Sequence, residues 1–198
     1  MDDVLTQNIE IEFKNMLTKS EYENLLKVFK IEEHQIFKQV NHYFDTPDFA
    51  LKNQESALRI RKKDGYYEMT LKQPAPIGLL ETNQHISENE AQMAIEFGKL
   101  PPGIILNLIE ESKIIYSTIE YFGSLTTKRV EFLYQNGLLV FDHSIYLNTE
   151  DYELEYEAQN YQDGEKVFLD ILRQCNIPQR GTKNKILRFY NRKYEQTK

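Results

Sequence analysis

The sequence predicts an α+β protein in which about eight antiparallel strands close, or nearly close, into a barrel with helices packed outside. Three observations predict it. Several segments alternate apolar and charged residues, the mark of a half-buried strand; Ile9 to Lys14 does so strictly, and Asp151 to Ala158 does so over most of its length. Two pairs of strand segments meet at dipeptides suited to two-residue turns, Asp64-Gly65 and Asn136-Gly137. Amphipathic helical stretches lie between the strands. Packed on the apolar strand faces, they would leave the charged faces turned into a barrel.

Taken in order, Ile9, Ile11 and Phe13 share one face of the first strand, and Glu10, Glu12 and Lys14 the other. Thr18 or Ser20 then caps a helix carrying Tyr22, Leu25, Leu26 and Phe29. Ile36 to Asp45 reads as a strand stopped by Thr46-Pro47-Asp48. In the first hairpin, Ala57 to Lys63 and Tyr66 to Gln73 flank the turn, pairing 63 with 66, 61 with 68 and 59 with 70. Arg59, Arg61 and Lys63 then share a face with Glu68, Thr70 and Lys72. Leu80 to Ile86 is a strand, and Ser87 with Glu90 forms a capping box for a helix through about Phe97. After Leu100-Pro101-Pro102-Gly103 come a short helix, Ile104 to Glu110, and a strand, Lys113 to Phe122.

The second hairpin runs from Thr126 to Gln135 and from Leu138 to His143, with Asn136-Gly137 as the loop, so that 131 faces 142. Arg129, Glu131 and Asp142 fall on one face. The strand Asp151 to Ala158 puts Asp151, Glu153, Glu155 and Glu157 on one side and Tyr152, Leu154 and Tyr156 on the other. Helices follow at about 163–175 and 183–194. The order of elements repeats loosely between the two halves.

Composition narrows the function. The 24 basic and 31 acidic residues of this 198-residue chain leave a net charge of −7. That argues against broad nucleic-acid or anionic-membrane binding while leaving room for a local basic pocket. Cys175, the single cysteine, excludes an internal disulfide and a cysteine-rich zinc site, and its apolar helical surroundings read as those of a buried structural thiol. Met1 to Val4 lack the basic and apolar regions of a signal peptide, and no apolar run reaches the roughly 20 residues of a membrane span. A cytoplasmic location is the expectation. No GxxxxGK[ST] loop occurs, which argues against a P-loop nucleotide fold. His34, His42, His85 and His143 are scattered; His143 follows Asp142 but reads as a hydrogen-bonding surface residue.

The strand charges are sorted: Glu10 and Glu12 on one strand, Glu153 and Glu155 on another, and Arg59, Arg61, Lys72, Arg129 and Lys183 or Lys185 as the basic set. A charged face singly is ordinary solvation. Enclosed carboxylates, however, repel unless a cation joins them, and enclosed cations need an anion. A polyphosphate with a divalent metal satisfies both, and oxygen ligands favour Mg2+ or Mn2+ over zinc.

These residues carry a resemblance. Glu10-Ile11-Glu12-Phe13-Lys14 resembles the ExExK signature of the CYTH superfamily, the triphosphate tunnel metalloenzymes. It is followed in order by Tyr43-Phe44-Asp45-Thr46, Leu58-Arg59-Ile60-Arg61, Thr70-Leu71-Lys72, Lys128-Arg129, Asp142, Glu153-Leu154-Glu155, and Lys183-Asn184-Lys185 before Arg188. The likeness spans about residues 9 to 190 and is nearest the YjbK-like bacterial branch. It implies one CYTH domain over 1–198 whose tunnel holds a small-molecule triphosphate, together with Mg2+ or Mn2+. It implies metal ligation by Glu10, Glu12, Glu153 and Glu155, with Asp142 helping or orienting basic neighbours, and with Glu157 as a substitute for Glu153 or Glu155. Phosphate would be gripped by Lys14, Arg59, Arg61, Lys72, Arg129 and one of Lys183 and Lys185, of which Lys185 is favoured. Glu10, Glu12, Lys14 and Lys72 are the residues expected at the chemistry. The implied activity is hydrolysis of tripolyphosphate, thiamine triphosphate or a nucleoside triphosphate by in-line attack of water between two metals. The alternatives are a class IV-type adenylate cyclase and a non-catalytic polyphosphate or nucleotide sensor.

Overall fold

The computed structural model describes residues 6–195; the reading of Met1 to Val4 lies outside them. The strands are β1 (Thr6–Leu17), β2 (Phe37–Asp45), β3 (Ala57–Lys63), β4 (Tyr66–Pro74), β5 (Leu79–Ile86), β6 (Glu120–Tyr134), β7 (Gly137–Tyr146) and β8 (Thr149–Ala158). Six helices accompany them among the described residues: α1 (Lys19–Val28), α2 (Ala50–Asn53), α3 (Glu88–Phe97), α4 (Ile104–Glu111), α5 (Tyr161–Gln174) and α6 (Lys185–Glu195). The strands form a closed antiparallel barrel in the order β1-β5-β4-β3-β2-β6-β7-β8, with the helices outside, the predicted α+β architecture. Neighbouring strands stay neighbours when β1 to β4 exchange places with β5 to β8, but the second hairpin of that repeat is β7–β8 and not the one read from the sequence, because β6 is one strand where two were expected. No helix among the described residues is long and apolar enough to cross a membrane.

The chain divides into two compact units. The first contains residues 6–9 and Gln39–Ser124. Its hairpin has the expected register, Lys63 opposite Tyr66 and Arg59 opposite Thr70. Asp64 and Gly65 take positive φ values of 50° and 83°, as a type I′ turn requires. Leu58, Ile60, Met69 and Leu71 lie on the face away from Arg59, and Ala91, Ala94, Ile105 and Ile109 of α3 and α4 pack into the same core. The unpredicted α2 is built by Asp45, whose buried carboxylate accepts from the amides of Thr46, Leu51 and Lys52 at 2.8, 3.0 and 3.2 Å.

The expected strand over Lys113 to Phe122 is largely absent. Lys113 turns at φ 61°, Tyr116–Thr118 is a 3-10 turn, and Ile114 and Ile119 bury on the core while Ile115 stays exposed. Only Glu120 onward is strand, and it runs unbroken through the segment read as a separate strand from Thr126. The apolar residues here are spaced to anchor a turn and do not alternate.

The second unit holds Glu10–Lys38 and residues 125–195. Thr18 is the cap of α1, in a reciprocal box with Glu21. Leu25 of α1 and Phe168, Ile171 and Leu172 of α5 pack on Val130, Phe141, Leu154 and Tyr156. The second hairpin differs from expectation by two residues: Tyr134 pairs with Gly137, Arg129 with Asp142, and Glu131 with Val140. The loop is Gln135-Asn136, at φ 44° and 64°. Gly137 is needed as a strand residue, because a Cβ there would stand 2.4 Å from Cζ of Tyr156. The ring hydroxyl beneath donates to the carbonyls of Tyr134 and Gln135 at 3.0 and 2.7 Å. An even shift keeps every side chain on its predicted face, so the sorting of charges survives. Cys175 is half-buried at the end of α5 rather than enclosed within it.

Candidate active site

In the second unit, strand alternation and register collect one charged face. Asp142 lies opposite both Arg129 and Glu153, Glu155 lies opposite Lys14, and Glu157 opposite Glu12. Helix α6 adds Lys185, its first residue, and Arg188 one turn on. Asp142, Glu153 and Glu155 are all buried, each with a carboxylate oxygen within 4.8 Å of the others.

Three cations hold this triad. Arg129 grips Asp142 through Nε and Nη2 at 2.8 and 2.6 Å, and Nη2 also reaches Glu155 at 2.8 Å. The Lys185 ammonium lies 2.9 Å from Asp142 and 2.6 Å from Glu153, and closes an ion pair with Glu155. Arg188 bridges Glu153 and Asp151, at 2.9 Å from each. Burial would favour the neutral acids. For Glu155 the cations Lys185, Arg129 and Lys14 outweigh it and hold the carboxyl well below its usual range. Asp142 is lowered against the same burial by Arg129 and Lys185. Burial likewise pushes the Lys185 ammonium down, and Asp142, Glu153 and Glu155 more than reverse it.

In the first unit, Arg59, Arg61 and Lys72 gather around one buried carboxylate, Glu81. Glu81 stands 2.6 Å from Lys72 Nζ and 3.7 Å from Arg59 Nη2. Arg61 donates from Nε to Asn41 at 3.0 Å, and Thr70 to Asn83 at 2.8 Å. Burial raises the Glu81 pKa, but Lys72, Arg59 and Arg61 carry it below normal. Arg59 Nε is buried and has no hydrogen-bond partner.

The predicted residues are therefore distributed as follows. Glu153, Glu155, Asp142, Arg129 and Lys185 come together. Lys14 pairs with Glu12 at 2.7 Å; burial pushes its pKa down, and Glu12, Glu155 and Glu153 raise it overall. Glu10 and Glu12 share the face but are not members of the buried triad. Glu157 is half-buried opposite Glu12. Arg59, Arg61 and Lys72 gather around Glu81. Lys183 is exposed and contributes its carbonyl, which accepts from Arg188 Nη1 at 2.6 Å. His143 hydrogen-bonds Glu150 at 2.7 Å and stacks on Tyr152.

The sequence patterns gave no role to Glu81, nor to Arg188 and Asp151, which lie in the charged segments they marked out. Arg188 stands three residues after Lys185 on one helix, a spacing that shares a face. Glu81 alternates with Asn83 along β5 in register with Lys72 and Thr70. Both signals were available.

The donor set is one of hard carboxylate oxygens, which suits Mg2+ or Mn2+. In the arrangement seen here the triad's charge is met by Arg129, Lys185 and Arg188.

The CYTH domain family matches residues 8–190. The Bacillus subtilis (strain 168) protein named "Putative triphosphatase YjbK" is 49% identical over 189 residues, covering 96% of this chain and 98% of the relative. A Bacillus halodurans crystal structure described as "a putative adenylate cyclase" is 43% identical, with TM-score 0.91 over 93% of this chain and 98% of that one. A Hippeastrum protein described as a "putative adenylyl cyclase" with "a dominant" triphosphatase activity shares the fold, at 21% identity and TM-score 0.77 over 92% of this chain and 96% of that one.

Proposed function

This chain belongs to the CYTH domain family, and on that premise we propose that it is a divalent-metal-dependent hydrolase releasing phosphate from a triphosphate. The observation that carries the reading is the basic set of Arg59, Arg61 and Lys72 gathered around the single carboxylate of Glu81. The 49% identical relative, named "Putative triphosphatase YjbK", supports the choice of reaction.

In this reading Arg59, Arg61, Lys72, Lys14, Arg129 and Lys185 take phosphate oxygens and stabilise the charge that spreads over them during transfer. Lys183, exposed, serves the incoming anion at most from outside. Glu10, Glu12, Glu153 and Glu155 are the ligands for Mg2+ or Mn2+, with Glu157 next to Glu12 as a further oxygen donor. Asp142 orients Arg129 and Lys185, which already occupy both of its oxygens. Bound metal would supply charge neutralisation and a water of lowered pKa for in-line attack.

The test is a panel of tripolyphosphate, thiamine triphosphate and ATP with Mg2+ and Mn2+ supplied separately. Phosphate release that stops on chelation is the expected result, and no release from any of the three sinks the proposal. A second reading, conversion of ATP to cyclic AMP, is favoured by the description of the Bacillus halodurans structure. Cyclic AMP as the main product would decide for it.

A further inference from the structure

The Lys185 ammonium sits where three buried carboxylates converge. It has three N–H donors, and Asp142, Glu153 and Glu155 each lie within hydrogen-bond reach. It is held there from behind as well. Asn15, fully buried, accepts from the Arg180 amide and donates to the Pro178 carbonyl at 3.2 Å, while Arg180 forks onto Glu21 at 2.8 and 2.9 Å. The strap leading into α6 is thereby tied to β1 and α1, and the first side chain of α6 is delivered to the triad.

A divalent cation on Glu153 and Glu155 needs the same oxygens, and two positive centres a few ångströms apart in a buried site repel strongly. We propose that Lys185 is the internal occupant of the Asp142–Glu153–Glu155 triad and competes with divalent metal for the oxygens of Glu153 and Glu155. The free protein's affinity for metal is held down by its own ammonium. An anion that draws Lys185 aside opens the triad, so metal and triphosphate bind with positive coupling, each raising the affinity for the other. The inference rests on the metal-dependent reading above and adds to it an order of events. If the metal instead binds only at Glu10, Glu12 and Glu157, Lys185 has no influence on it.

Mn2+ binding in the absence of any phosphate, followed by calorimetry and by the loss of the free-ion electron paramagnetic resonance signal, separates these cases. Lys185→Met is expected to bind Mn2+ at least about tenfold more tightly than the wild type, about 1.4 kcal/mol. Lys183→Met, with the same change of net charge two residues away, is expected to match the wild type. Equal or weaker binding in Lys185→Met overturns the proposal, as does an equal gain in Lys183→Met. Lys185→Gln serves as the second variant should the Met form not fold; if neither folds alone, recovery of the fold by Mn2+ supports the competition and failure to recover overturns it. Tripolyphosphate hydrolysis by the wild type, assayed alongside, keeps the two readings apart. Hydrolysis with equal Mn2+ affinities sinks only the competition, whereas a tighter variant without wild-type hydrolysis sinks only the hydrolase.

Discussion

Replacing Asp142 by Asn tests whether the buried triad is a scaffold for its cations. Asp142 is fully buried, and its two oxygens accept both arms of Arg129 and face Lys185 at 2.9 Å. Nearby carboxylates make the sign of the effect a real question, since Glu155 repels Asp142. The lowered pKa of Asp142 answers it: the ionised form is favoured in the fold despite burial and Glu155. Breaking a buried pair costs about 3–5 kcal/mol where a charge is left alone. Here Arg129 keeps Glu155 and Lys185 keeps Glu153, so the expected loss is about 2–4 kcal/mol on the same scale. For a chain of this size that lowers the melting temperature by roughly 5–15 °C. Thermal unfolding followed by circular dichroism measures it, with urea titration as a check. The difference must also vanish in acid. A carboxylate whose folded pKa is depressed contributes its full stability above its unfolded value, near about 3.9. It loses that contribution as pH falls through the lower folded value. A variant melting within about 1 °C of the wild type at neutral pH, or a difference that grows in acid, refutes the scaffold role.

Three further outcomes are expected. Glu12→Ala and Arg59→Ala should each abolish phosphate release with little change in melting; unchanged activity in both removes these residues from the site. Gly137→Ala should destabilise by about 2–4 kcal/mol, because the new methyl overlaps the Tyr156 ring and disturbs its two hydrogen bonds. Had glycine been needed there only as a flexible turn residue, unfolding in urea would show a neutral or positive effect. Asp45→Ala should cost about 2–3 kcal/mol by leaving the Thr46, Leu51 and Lys52 amides without their acceptor. Faster proteolysis around α2 is the accompanying sign, and wild-type stability in urea would count against it.

The sequence by itself determined which side chains share a strand face, the Asp64-Gly65 hairpin with its register, and the capping box at Ser87. These are local matters. A period of two residues, a turn needing two positive φ values and a side chain reaching back three residues leave their marks within a few positions. It also brought out most of the acidic and basic set, because charges alternating on strands stay on one face even when the register shifts by two. The tertiary structure decided the rest. Tyr156, nineteen residues beyond Gly137, turns that glycine from a loop residue into a strand residue and moves the loop back to Gln135-Asn136. The start of α6, set by the Asn15–Arg180 tie, sends Lys185 into the triad and leaves Lys183 in solvent. Likewise only packing reveals that Asp142 is already held by two cations and that Arg59 retains an unpartnered donor. Those facts depend on distances between groups far apart in the chain, to which local backbone preference and alternation are blind.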